Sequence, residues 1–150
     1  MGNASIKKSD LILLLLNGDN KFPIEGITRF EKLVFLTQME ILNKWDNVKI
    51  KFNFEPDRFG PLATEIYDEI DFLKSVKMIK ETVGKYEITD KGKRFLEKKT
   101  YERVHEDLIK HISDLKEKHG REKLDDILRY VYSNYPDFTI KSQIRDRVLR

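Results

Sequence analysis

A chain of 150 residues with a 39% apolar share can bury one core, with room for an appendage but not for several domains. Cysteine is absent, which excludes disulfides, thiolate metal sites and a cysteine nucleophile and fits a reducing cytoplasm. The formal net charge is only +3 although 37% of the residues are charged, so any contact with nucleic acid has to come from how the charge is distributed. That distribution is uneven. Residues 1–88 carry 13 basic and 14 acidic side chains and residues 89–150 carry 16 and 12, so the second part holds the whole excess. Lysine, glutamate and isoleucine are abundant while glutamine is scarce, a balance seen in proteins from hot environments.

In chain order, Ser9 is placed to cap a helix over residues 10–17 that Asn17-Gly18 stops. Its run Leu11-Ile12-Leu13-Leu14-Leu15-Leu16 looks membrane-like, but six residues fall far short of the about 20 that a spanning helix needs. It is also short for a signal peptide, so a buried core helix is expected. Residues 18–26 read as a loop. A second helix is expected over 28–44, with Phe30, Leu33, Val34, Met39 and Ile41 recurring at helical spacing. Residues 49–54 alternate, with Ile50, Phe52 and Phe54 on one side, which predicts a half-buried strand broken at Glu55-Pro56-Asp57.

A third helix is predicted from Gly60-Pro61 to Val76, with Leu62, Ile66, Ile70 and Leu73 on one face. Residues 78–89 switch to alternation around Gly84 and predict a two-stranded hairpin. Thr89 then caps a helix that starts at Asp90. From Tyr101 to Lys118, Val104, Leu108, Ile109, Ile112 and Leu115 form an amphipathic stripe. A further helix covers 123–133, Asn134-Tyr135-Pro136-Asp137 turn the chain, and a last short helix starts at Thr139 or Lys141. The order predicts a mostly α, α+β fold. A winged helix-turn-helix core occupies 1–98, and a helical extension over 99–150 packs on that core or on a second subunit. The stripe of 104–115 needs cover, from residues 124–132 or from a second chain in a homodimer formed through 101–150.

The blocks Lys32-Leu33-Val34-Phe35-Leu36, Phe59-Gly60-Pro61 and Glu65-Ile66-Tyr67-Asp68, with the later Tyr86-Glu87-Ile88-Thr89-Asp90-Lys91-Gly92-Lys93, resemble the Panacea domain. That is the antitoxin-like domain of phage and prokaryotic toxin–antitoxin loci. The same blocks, with the tail Ile127 to Ser142, are similar to uncharacterised archaeal winged-helix proteins. The resemblance implies a winged-helix core and a role in regulation or neutralisation, with no enzymatic activity and no cofactor.

The residues themselves divide between two surfaces. A recognition helix reads bases with Arg, Lys, Asn and Gln, yet the third helix carries Glu65, Asp68, Glu69 and Asp71, which repel phosphate or dock a basic protein. The basic residues lie in the wing and its flanks: Arg29, Lys32, Arg58, Lys80, Lys85, Lys91, Lys93 and Arg94. Two functions follow. The first is a DNA-binding transcriptional regulator or antitoxin-like protein that contacts double-stranded DNA through the wing. The second is a protein-interaction module that keeps the fold without binding DNA.

Other chemistry finds little support. His105 and His111 fall on opposite sides of a helix and cannot share a metal with each other. Pro56-Asp57 with Glu97-Lys98-Lys99 is a faint nuclease pattern whose glutamate falls in a helix. Tyr130, Tyr132, Tyr135 and Phe138 pack the C-terminal helices rather than stack on bases.

Overall fold

The run Leu11 to Leu16 is apolar all round because it is buried all round: five of its six residues are 0% exposed and Leu14 is 5% exposed. It forms the central helix, α1 (Lys8–Lys21), of a computed structural model that describes residues 6–45, 48–99, 103–142 and 145–149. Ser9 is not its cap. The helix starts at Lys8, two residues earlier than expected, and the Asp10 carboxylate reaches back to accept the Lys7 N–H at 3.0 Å. Regular geometry ends at Gly18, followed by Asp19 and Asn20 in the left-handed region. A Cβ on Gly18 would lie 3.0 Å from the Cα of Ser113, so glycine permits this crossing.

The following segment is not all loop. It contains β1 (Ile24–Glu25), ahead of α2 (Ile27–Glu40) and a 3₁₀ turn at Leu42–Lys44, so the second helix ends four residues early. Residues 49–54 form no strand. Phe52 is buried as the alternation demands, but its N–H and carbonyl are both satisfied by the side-chain amide of Gln38, at 2.7 and 3.0 Å. One amide thus takes the place of a ladder. The strands form just downstream, where β2 (Glu55–Asp57) pairs antiparallel with β3 (Gly60–Leu62). The third helix, α3 (Glu65–Ser75), therefore starts four residues after Pro61 and not at it.

The predicted hairpin is present as β4 (Ile79–Thr82) and β5 (Lys85–Ile88), with Ile79 opposite Ile88. Strand β1 joins the other edge of β5, Ile24 opposite Tyr86, and gives the sheet order β1-β5-β4. Helix, strand, helix, helix and hairpin in this order are those of a winged helix, with β2–β3 inserted between its second and third helices. Thr89 caps α4 (Asp90–Lys98) by accepting the Gly92 N–H at 3.1 Å, as expected.

The extension comprises α5 (Arg103–His119), α6 (Leu124–Asn134), a 3₁₀ turn at Pro136–Thr139 and α7 (Arg145–Leu149). The side chains of Val104 and His105 lie outside the described residues. Leu108 and Ile112 are 0% exposed and Leu115 8%, so the described part of the stripe is covered within one chain. The cover is chiefly α1 and not the expected residues 124–132. The Asp19 N–H donates to Ser113 Oγ at 3.0 Å, and the Lys116 ammonium donates to the carbonyls of Leu16 and Gly18 at 2.8 and 2.7 Å. The described part of the stripe therefore needs no second chain to cover it. Helix α6 packs on α2 and β3 instead. Among the described residues no helix is long and apolar enough to cross a membrane.

Candidate functional site

Three of the segments that carry the family resemblance meet at one side chain. Lys32, in the middle of α2, is 0% exposed. An ammonium out of water needs partners on several sides. It donates to the Pro61 carbonyl at 3.0 Å and to the Glu31 carboxylate at 3.1 Å. The other oxygen of Glu31 accepts a hydrogen bond from the Tyr67 hydroxyl of α3. Lysine, Gly-Pro and tyrosine, spread over three sequence blocks, are thus one hydrogen-bonded unit. Burial lowers the Lys32 pKa, and the Glu31 carboxylate partly offsets that shift. Burial raises the Tyr67 pKa, and its bond to Glu31 adds to the rise.

Gly60 is required at this place. Its φ is +90°, and a Cβ there would lie 2.8 Å from the Tyr132 ring and 3.5 Å from Lys32 Cε. Tyr132, from α6, closes the cluster from the C-terminal side and shares a 2.8 Å hydrogen bond with Ser142 Oγ. A cavity of about 230 Å³ opens over the unit between Phe59, Asp57, Arg58 and Tyr67. Phe59 and Tyr67 are 43% and 38% exposed, so two aromatic rings stand at its mouth.

The acidic residues of α3 do not act as one set. Glu65 is built into the fold: its carboxylate pairs with Lys8 at 2.8 Å and accepts the Asn53 N–H at 2.8 Å. Burial alone would raise its pKa, but those bonds outweigh burial and hold it below the usual value. Glu69 is half-buried, and burial raises its pKa. Asp68 and Asp71 are exposed, beside Tyr67 and a Phe72 that is 53% exposed. At 100° per residue these four share one side of α3.

The basic residues named from the sequence also scatter. Lys32 is interior, which removes it from any surface contact. Arg29 donates to the carbonyls of Glu25, at 3.1 Å, and Glu122, and so ties α2 to the start of α6. In the wing, Lys85 lies 3.4 Å from Glu25 and Lys80 3.8 Å from Glu87, while Lys74 of α3 lies 2.8 Å from Glu81. Lys91 donates to the Val76 carbonyl at 2.8 Å. Arg58 and Arg94 are exposed and Lys93 is half-buried, and the side chains of these three reach no carboxylate among the described residues.

The remaining readings resolve simply. Among the described residues no group of three or more histidine, cysteine or carboxylate side chains could hold a metal. Glu97 is exposed on α4, apart from β2 where Asp57 sits. Tyr130 and Tyr135 both donate to Glu40, at 2.7 and 3.0 Å, and Phe138 packs edge-on against Phe35. The aromatic tail is therefore packing, as expected.

Sequence reasoning missed Glu31 and Tyr67 as members of the cluster. The signal that could have found them is a Glu-Lys pair in the midst of the apolar run of α2. No family model, curated protein or solved structure matches the chain.

Proposed function

We propose that this chain is a non-enzymatic regulatory protein, antitoxin-like in the sense of the family it resembles, that docks a basic protein partner on the exposed face of α3. The observation that carries this reading is the make-up of that face. The helix that would meet a duplex in a winged helix presents Asp68, Asp71, Tyr67 and Phe72 to solvent. Carboxylates there oppose phosphate. Exposed aromatic rings among carboxylates suit a partner surface that brings Arg or Lys together with apolar groups. The wing lends little to the competing reading, because Lys80 and Lys85 each lie beside a carboxylate. DNA binding keeps one support, the exposed Arg58 and Arg94 outside the wing tip.

Both surfaces can be tested on the same protein. Partners captured from the native host on the wild-type chain should be purified and titrated against Asp68→Asn/Asp71→Asn and against Lys85→Glu/Lys91→Glu. The first pair should weaken the complex at least tenfold and the second should leave it unchanged. A gel shift with random duplex at low salt should show no retardation. Retardation that the Lys85→Glu/Lys91→Glu pair abolishes and rising salt weakens would overturn the reading in favour of a DNA-binding regulator.

A further inference from the structure

A larger cleft, of about 560 Å³, lies on a different part of the molecule, where the end of α2 meets α5 and α6. Its wall includes His119, which is 2% exposed. The ring is held by Glu122, whose carboxylate lies 2.6 Å from Nδ1. Nε2 is buried and has no hydrogen-bond partner, and it is the only buried side-chain nitrogen or oxygen in that position among the described residues. A buried orphan of this kind calls for an explanation.

The other groups of the cleft divide by charge. Its carboxylates are already engaged: Glu40 accepts from both Tyr130 and Tyr135, and Asp114 pairs with Lys110 at 3.3 Å. Its cations are not. Lys44 and Lys118 line the cleft, are exposed, and reach no carboxylate among the described residues; Lys118 lies over the Tyr130 ring at 5.6 Å. His111, also in the wall, has Nδ1 2.7 Å from the Asp107 carbonyl. A carbonyl only accepts, so Nδ1 carries the hydrogen there and Nε2 is left for another partner. The uncommitted groups are two ammoniums and two imidazole Nε2 atoms, each imidazole a second donor once protonated.

We propose that this cleft binds a small phosphate-bearing ligand, whose oxygens accept from Lys44, Lys118 and the exposed His111 imidazole, next to the buried ring of His119. A phosphate group offers several strong acceptor oxygens to donors that converge from different elements. The ligand would bridge the 3₁₀ turn after α2 and helix α5 of the extension, so its natural role is that of an effector that braces one against the other.

The test is a titration of the full chain with inorganic phosphate at constant ionic strength, followed through the imidazole proton signals of His111 and His119. Both signals should shift and saturate, and the thermal midpoint should rise. Lys44→Gln/Lys118→Gln changes two exposed residues and should fold as wild type, with its midpoint in chloride as the control. Phosphate should bind it at least about tenfold more weakly, as the loss of charge-assisted hydrogen bonds implies. A linear response that chloride reproduces, or equal phosphate binding by wild type and the double variant, would overturn the proposal.

Discussion

Lys32 and Lys116 are both 0% exposed, and the fold treats the two ammoniums differently. Lys32 has a carboxylate beside it and one carbonyl, from Pro61. Its bonds stay within the winged core, and they fix the inserted β2–β3 hairpin against α2. Among the described residues no carboxylate is in direct contact with Lys116. It lies on the carbonyls of Leu16 and Gly18, at the end of α1, where the helix leaves carbonyls unpaired. Asp19 is near but is held by Arg121 at 2.8 Å. The first lysine organises a motif and the second fastens the extension to the core. A buried charge is thus met either by a countercharge or by helix-end dipoles, and the two solutions should fail differently.

The largest difference is expected on removal of the ammonium that has a countercharge. Lys32→Met leaves Glu31 buried at 5% exposure with only Tyr67 for a partner, and losing one member of a buried pair costs about 3–5 kcal/mol. Urea unfolding should show that loss. Adding Glu31→Gln should restore part of it by removing the stranded charge. A Lys32→Met protein as stable as wild type would show that the cluster does not hold the core together.

Gly60→Ala sharpens the comparison from the backbone side. A positive φ costs a residue with a Cβ about 1–2 kcal/mol, and the overlap with Tyr132 adds to it, so about 3 kcal/mol is expected in the same assay. Tyr132→Leu in the same chain should relieve only the overlap. Tyr67→Phe removes one donor to a carboxylate and should cost about 2 kcal/mol. If Tyr67→Phe is silent, Glu31 needs Lys32 alone.

How far these elements could be read from the chain follows the same division. The hairpin, α4 with its Thr89 cap, α5 and α6 are legible because local alternation or helical period marks them, whereas the last helix is Arg145–Leu149 and does not start at Thr139 or Lys141. Residues 49–54 have the right alternation and no partner strand, because Gln38 supplies their hydrogen bonds from a distant helix. The start of α3 differs because Pro61 suits a strand edge as well as a helix start, and its strand partner Pro56 lies in a stretch that reads as a strand breaker. Lys32 read as a surface cation because lysine is so rarely buried that its side chain alone gives no warning. What makes it interior is a cluster built from α2, β3, α3 and α6, and no window of the sequence contains those together. The acidic face of α3 was legible in part: Asp68 and Asp71 are exposed as expected, while Glu65 is spent on Lys8 and Asn53.

The smallest effect is the pH dependence that Lys116 brings to stability. Burial pushes the Lys116 ammonium down to about 8, and the nearby Asp19 offsets this only in part. In the unfolded chain a lysine keeps a pKa of about 10.4. Below pH 8 both states hold the proton and the cost of burying the charge is fully present. Between about pH 8 and 10 the folded state has released the proton while the unfolded state still binds it. Stability then rises with pH, by about 1–2 kcal/mol once relaxation is allowed for. Above pH 10 the sign reverses, because Tyr67, Tyr130 and Tyr135 have raised pKa values when folded and the unfolded chain ionises them first. The measurement is urea unfolding at pH 7.5 and 9.5 for wild type and Lys116→Met. Wild type should gain on the variant over that interval. A constant difference would mean that the two carbonyls hold the Lys116 proton as firmly as water does.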